Sequence, residues 1–255
     1  LSETDRAIIN NNVFHVWLDD GWADEKTFGY GLQLVRDGET ASVSASYVEK
    51  TSSDKVRHQF QNVKIAGAYK NSKYYVYTTY YDAYTRCLKY GMFEFKNAWD
   101  MNRSITAKHI ADDEGSFVID GYDAANNSSI SWDVGKWSDI KVDNSGTNPI
   151  PVVVYYDTAN HCLKLVRGGR TTPVTKRYAG AIGDGADAKP WISSTISSPN
   201  GSSSDFGRYV TMEMDNSGNL HIVARDESYG RVYYGYFKKT INYLFKELHL
   251  LSLKP

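Results

Sequence analysis

The strongest constraint on this chain is that it repeats itself. The stretch VDNSGTNPIPVVVYYDTANHCLKLVR at 142–167 returns as MDNSGNLHIVARDESYGRVYYGYF at 214–237. In both, an apolar strand ends in Asp, five residues follow, and an aromatic-rich strand begins. A third copy runs YYVYTTYYD at 74–82 and LKYGMFEF at 88–95, and a looser one opens the chain with VFHVWLDD at 13–20 and YGLQLVRDG at 30–38. Asp82, Asp157 and Asp226 stand 75 and 69 residues apart. A repeat on this scale marks an array of supersecondary units that bury their faces against one another.

Upstream of each Asp strand lies another short strand and a tight turn. WSDIKVDNSG (137–146) and RYVTMEMDNSG (208–218) match closely, with FQNVKIAGAYKNS (60–72) and DRAIINNN (5–12) as weaker versions. Asp-Asn-Ser-Gly between alternating runs is hairpin chemistry, because Asp bonds its own backbone and Gly accepts the positive φ that closes the turn. Segments such as ASVSASYVEK (41–50) and FKELHLLSL (245–253) supply a fourth strand. The unit is therefore a four-stranded antiparallel meander, and radial stacking is the solution that covers its faces and protects its edges. The expected fold is all-β, a β-propeller of about four blades in one domain, with units near 5–58, 59–135, 136–206 and 207–255. A blade takes about 40–50 residues, so the longer period implies inter-blade insertions at 97–135 and 168–207. If those segments hold degenerate hairpins, with Asp123 of FVIDGYDAANNSSISWDV in the role of Asp157, the count becomes five or six.

Composition agrees with sheet. Tyr occurs 20 times, beside 9 Phe and 6 Trp, and aromatic side chains suit a pleated, half-buried surface. The net charge of −1 comes from scattered residues, so no basic patch points to nucleic acid. No apolar run approaches the roughly 18 residues of a membrane span. The opening LSETDR lacks an initiator Met and reads as the start of a mature or excised piece of a longer precursor; the alternative to a propeller of four or more blades in this chain is a partial one that another chain or a missing segment completes. Cys87 and Cys162 fall at equivalent repeat positions, far apart in an array, which suits buried thiols better than a disulfide.

The doubled motif resembles a broad group of secreted bacterial propellers related in shape to the sialidase-like superfamily, whose strands have the form D-x-x-G-x-x-H-I-x-x-x-D followed by L-K-Y. The resemblance is carried by 143–167 and 215–237, and more loosely by 74–95. It implies an extracytoplasmic setting, secreted, periplasmic or cell-surface, and a binding or scaffolding role. The S-x-D-x-G-x-T-W box is absent, since DNSGN at 215–219 keeps only its Asp and Gly, and no Arg-Ile-Pro stands near the start. Sialidase activity is not implied.

The candidate site residues lie at the turns between second and third strands. Asp20 (or Asp19), Asp82, Asp157 and Asp226 place one carboxylate per unit at one end of the array. They either ring a polar ligand or a cation such as Ca²⁺, or each accepts amides of its own turn. Trp22, Tyr84 and Tyr229 lie in the same turns, where rings escape packing and suit a glycan or peptide surface. The acidic loops at 111–115 and 184–189 lack calcium-loop spacing, and no H-x-H, HExxH or CxxC supports zinc. No cofactor is expected. Two readings follow: a non-catalytic module that binds a protein or glycan through one propeller face, or a glycan-active propeller, lectin or hydrolase, using paired carboxylates roughly 5–10 Å apart.

Overall fold

The computed structural model of the chain describes residues 4–19, 30–36, 45–51, 60–83, 86–96, 108–109, 117–123, 128–129, 133–168, 192–201, 203–239 and 248–253. All regular structure in these residues is β. Thr4–Ile9 (β1), Asn12–Asp19 (β2), Tyr30–Arg36 (β3) and Ala45–Thr51 (β4) form one sheet in that order. A second contains Phe60–Lys70 (β5), Lys73–Asp82 (β6) and Cys87–Phe95 (β7), with Lys108–His109 (β8) and Phe117–Asp120 (β9) both on the outer side of β7. Tyr122–Asp123 (β10) and Ser128–Ser129 (β11) pair separately. The third sheet is Val134–Asp143 (β12), Ile150–Asp157 (β13), Cys162–Arg167 (β14) and Ile192–Ile196 (β15); the fourth is Phe206–Met214 (β16), Leu220–Asp226 (β17), Arg231–Phe237 (β18) and Leu248–Leu253 (β19). Pairing is antiparallel throughout, and each large sheet is a meander that does not close on itself.

The expected insertions at 97–135 and 168–207 thus contain sheet strands. β8 and β9 complete the second sheet and β15 the third. Phe117–Asp120 belongs to the second sheet, while only the short β10–β11 pair stands apart.

Local chemistry sets the hairpins. Asn10-Asn11 and Asn71-Ser72 are two-residue turns with positive φ at both positions, φ 48° and 60°, then 53° and 57°. This is the turn whose twist matches the strands, and Asn tolerates it. The later units use the longer DNSG turn instead, with Gly218 at φ 81° and Asp215 Oδ1 accepting the Ser217 amide at 2.8 Å. The next turn of the second, third and fourth units spans four residues whose last is left-handed: Arg86, His161 and Gly230.

First strands of successive sheets lie side by side, β1 by β5, β5 by β12 and β12 by β16. Between the sheets lie three apolar clusters. Phe14 and Val16 meet Phe60, Val76 and Tyr80; Tyr77, Leu88 and Tyr90 meet Ile140, Val153 and Tyr155; Val152, Val154 and Leu165 meet Phe206, Ile222 and Tyr233. Side-chain alternation accounts for this. β13 is buried along its whole length because Val153 and Tyr155 face one neighbour and Val152 and Val154 the other. In β17, Leu220, Ile222 and Ala224 are buried while His221, Val223 and Arg225 are not, so only one face is covered. Gly135 and Gly207 let the backbone of one sheet approach that of the next closely. A Cβ on Gly135 would lie 2.8 Å from Leu88 Cα, and one on Gly207 3.0 Å from Leu163 Cα.

Candidate functional site

Asp82, Asp157 and Asp226 occupy the same place, the last residue of a second strand, and all three are fully buried. Asp157 accepts the amides of Ala159 (3.0 Å) and Asn160 (3.1 Å), and pairs with Lys164 at 2.7 Å. Asp82 pairs with Lys89 at 2.6 Å, seven residues on, as Lys164 is from Asp157. Asp226 has Tyr233 at that spacing and draws instead on Ser198, Asn200 and Ser204. Burial alone would raise the pKa of Asp157 and Asp226, but these donors together outweigh it and hold both below the usual carboxylate range. Asp157 and Asp226 tie their own turns and neighbouring strands or segments, Asp82 pairs with Lys89 on the adjoining strand, and none of the three opens onto solvent. Among the described residues no group of three or more His, Cys, Asp or Glu could hold a metal ion. Tyr229 is 54% exposed in its turn. Asp20, Trp22 and Tyr84 lie outside the described residues.

The rings that the fold brings together lie next to those turns, where the first strands begin. Asp133-Val-Gly-Lys-Trp137 and Asp205-Phe-Gly-Arg-Tyr209 are the same pentapeptide pattern, and each carries a double register break against its partner strand. Trp137 and Tyr209 sit at its end with φ 49° and 53°, and Asn62 occupies the corresponding bulge of β5 with φ 54°. A left-handed Asn is common, but a left-handed Trp or Tyr is strained. Both rings nonetheless stand against each other, centroids 5.0 Å apart at 49°, with Tyr209 57% exposed.

Polar groups frame the pair with the same symmetry. Tyr81 donates to Asp133 (2.6 Å), Lys136 pairs with Asp133 (2.6 Å), and Lys136 lies 5.3 Å from the Tyr81 ring centroid. One unit on, Tyr156 donates to Asp205, Arg208 pairs with Asp205 (2.8 Å), and the Arg208 guanidinium lies 5.6 Å from the centroids of both Tyr156 and Trp137. Arg225, 5.9 Å from the Tyr209 ring, pairs with Glu227 at 3.2 Å. Burial and the bond to a carboxylate push the Tyr81 and Tyr156 hydroxyls far above their ordinary pKa, so both remain donors. Lys136, Arg208 and Arg225 each have a carboxylate partner. The result is an aromatic pair, Tyr209 exposed and Trp137 half-buried against the core, with fixed donors and acceptors and little net charge.

Sequence reasoning passed over this pair because Trp and Tyr in a strand read as packing residues. The available signal was the alignment of WSDIKVDNSG with RYVTMEMDNSG, which already puts Trp137 and Tyr209 in register, preceded by D-x-G-[K/R].

No described helix is long and apolar enough to cross a membrane. No known family model and no curated protein matches the chain. Among solved structures it is similar to 1,3Gal43A, an exo-beta-1,3-galactanase from Clostridium thermocellum, at 12% sequence identity and a TM-score of 0.41. That match covers 97% of this chain and 47% of the galactanase chain, so the chain spans about half the length of the structure it matches.

Proposed function

We propose that the four sheets are blades of a sialidase-like propeller with the seam between the fourth and first left open, and that it is a non-catalytic extracytoplasmic module binding an uncharged glycan across the Trp137–Tyr209 pair. The observation that carries this reading is the conformation of that pair. Two bulky residues hold strained left-handed backbone at equivalent bulges, and one of them leaves most of its surface in water. Trp137 packs partly against the core, but at Tyr209 the strain brings little burial, as in a ligand platform. Ring faces suit the C–H faces of sugars, while the Asp–Lys and Asp–Arg pairs at the rim suit hydroxyl groups. The one-to-one pairing of those charges favours a neutral ligand. Binding without hydrolysis is supported by Asp157 and Asp226, which are held ionised and buried, opposite to what a general acid needs.

A glycan array followed by calorimetry on wild-type protein and Tyr209→Asn tests the reading. Neutral polysaccharides retained by the wild type and lost by the variant are expected. An array blank for every neutral glycan, with a protein recovered by pull-down, would transfer the face to a protein partner.

A further inference from the structure

Beside the β13–β14 turn a separate cleft of about 430 Å³ opens between that turn, β15 and the 197–204 segment. Its lining is polar: Asn160, His161, Cys162 and Lys164 on one side, Thr195, Ser197, Ser198 and Ser204 on the other, with Gly201 between. Its size falls within the roughly 300–1,000 Å³ of small-molecule sites, but those are mostly apolar. An apolar ligand has little to gain here.

The hydrogen-bonding capacity left over identifies what does. Lys164 spends two of its three N–H donors on Asp157 (2.7 Å) and Asp120 (3.0 Å) and keeps one. The Asn160 amide nitrogen donates to Asp157 at 2.8 Å, which leaves its carbonyl oxygen as an acceptor. Tyr156 gives its single proton to Asp205, so its contact with His161 Nδ1 (3.1 Å) requires Nδ1–H to donate. In the neutral ring this leaves Nε2 as an acceptor. Thr195 and Ser197 add exposed hydroxyls, which both donate and accept. The charge around the cleft disfavours anions, since Lys164 is already matched by two carboxylates and Asp226 is bound by hydroxyls and an amide.

We infer that this cleft is a second ligand site, for one uncharged, hydroxyl-rich ring of monosaccharide size. It shares no lining residue with the Trp137–Tyr209 pair and stands or falls independently of it. Millimolar affinity is expected of a single sugar held by so few polar contacts.

Cys162 provides a reporter inside the cleft. Its thiol is half-buried, whereas Cys87 is completely buried, so a small alkylating agent distinguishes them. Burial and the Asp157 charge raise the Cys162 pKa, so iodoacetamide labelling is followed at alkaline pH. The probes are methyl glycosides of glucose, galactose, mannose, xylose, arabinose and N-acetylglucosamine, with glucuronate and inorganic phosphate as anionic arms. At about five times its dissociation constant a bound sugar slows labelling about six-fold. In parallel, saturation-transfer NMR on the same glycosides should give signals with Tyr209→Asn, whose aromatic platform is gone, and these should vanish in the double variant Tyr209→Asn with Ser197→Tyr, whose new ring fills the rim. Protection and rim-dependent signals from a neutral glycoside support the site. No protection and no rim-dependent signal from any of them, or equal protection by the anions, overturns it.

Discussion

Replacing Tyr209 by Asn separates a ligand platform from a structural prop, because the fold already contains the control. Asn62 fills the corresponding bulge of β5 at φ 54°, against 53° for Tyr209. A left-handed L-residue costs roughly 1–2 kcal/mol, and Asn recovers part of it. Against that, the variant loses the tilted contact with Trp137, worth about 0.5–1.5 kcal/mol, and the Arg225 contact, worth about 0.5–1 kcal/mol at an exposed site. Little buried area is lost because most of the side chain is already in solvent. The terms nearly cancel, so stability should stay within about 1 kcal/mol of wild type, or about 4 °C in Tm for a chain of this size. Glycan affinity should fall about ten-fold, the equivalent of 1.4 kcal/mol. Urea denaturation and calorimetry measure the two quantities separately. A stability loss above about 3 kcal/mol would show that Tyr209 holds the fold together, and the platform argument would be refuted.

Other expectations concern the scaffold. Gly135→Ala drives a Cβ to 2.6 Å from Leu88 Cβ at φ 104° and should cost about 3 kcal/mol, whereas Gly201→Ala, at φ 102° with nothing within 4 Å, should cost only about 1 kcal/mol of backbone strain; equal costs in urea melts would contradict the close sheet packing. Asp157→Ala leaves a mostly buried Lys164 with Asp120 alone and frees two turn amides, so about 2–4 kcal/mol should be lost, and a loss under 1 kcal/mol would mean the turn does not depend on it. Asp143, Asp157 and Asp226 have folded pKa values below their unfolded ones, so their stabilisation is complete above the ordinary carboxylate pKa of about 3.9 and disappears as pH falls through the lowered values. Tm should therefore be flat from about pH 7 to 5 and drop below about pH 4; a maximum in the acid range would reverse the sign of that linkage.

What could be read in the sequence follows from how local the signal is. The second-strand Asp, the DNSG turns and the β17 alternation are decided within a few residues, and each appears in the structure at the position its chemistry requires. The fourth strands of the middle sheets were hidden because β15 and the β8–β9 pair follow their partners after long connections and carry little apolar alternation. Pairing across such distances is settled by tertiary packing, which no local pattern encodes. The bulged Trp137 and Tyr209 escaped for a related reason: a left-handed position announces itself when Gly or Asn fills it, and not when an aromatic residue is held there by its surroundings.

The left-handed residues that end the second turns of the second and third units, Arg86 and His161, have one more role. The carbonyl of Arg86 accepts the amide of Val134 at 3.2 Å, and that of His161 accepts Phe206 at 3.0 Å. The second unit thus carries a hook for the strand that starts the third, and the third a hook for the strand that starts the fourth, each caught by one backbone amide as its eye. Removing or adding a whole period leaves hook and eye matched, whereas a cut at any other length orphans one backbone group at the new junction. Gene rearrangements in such a chain survive in steps of one complete unit.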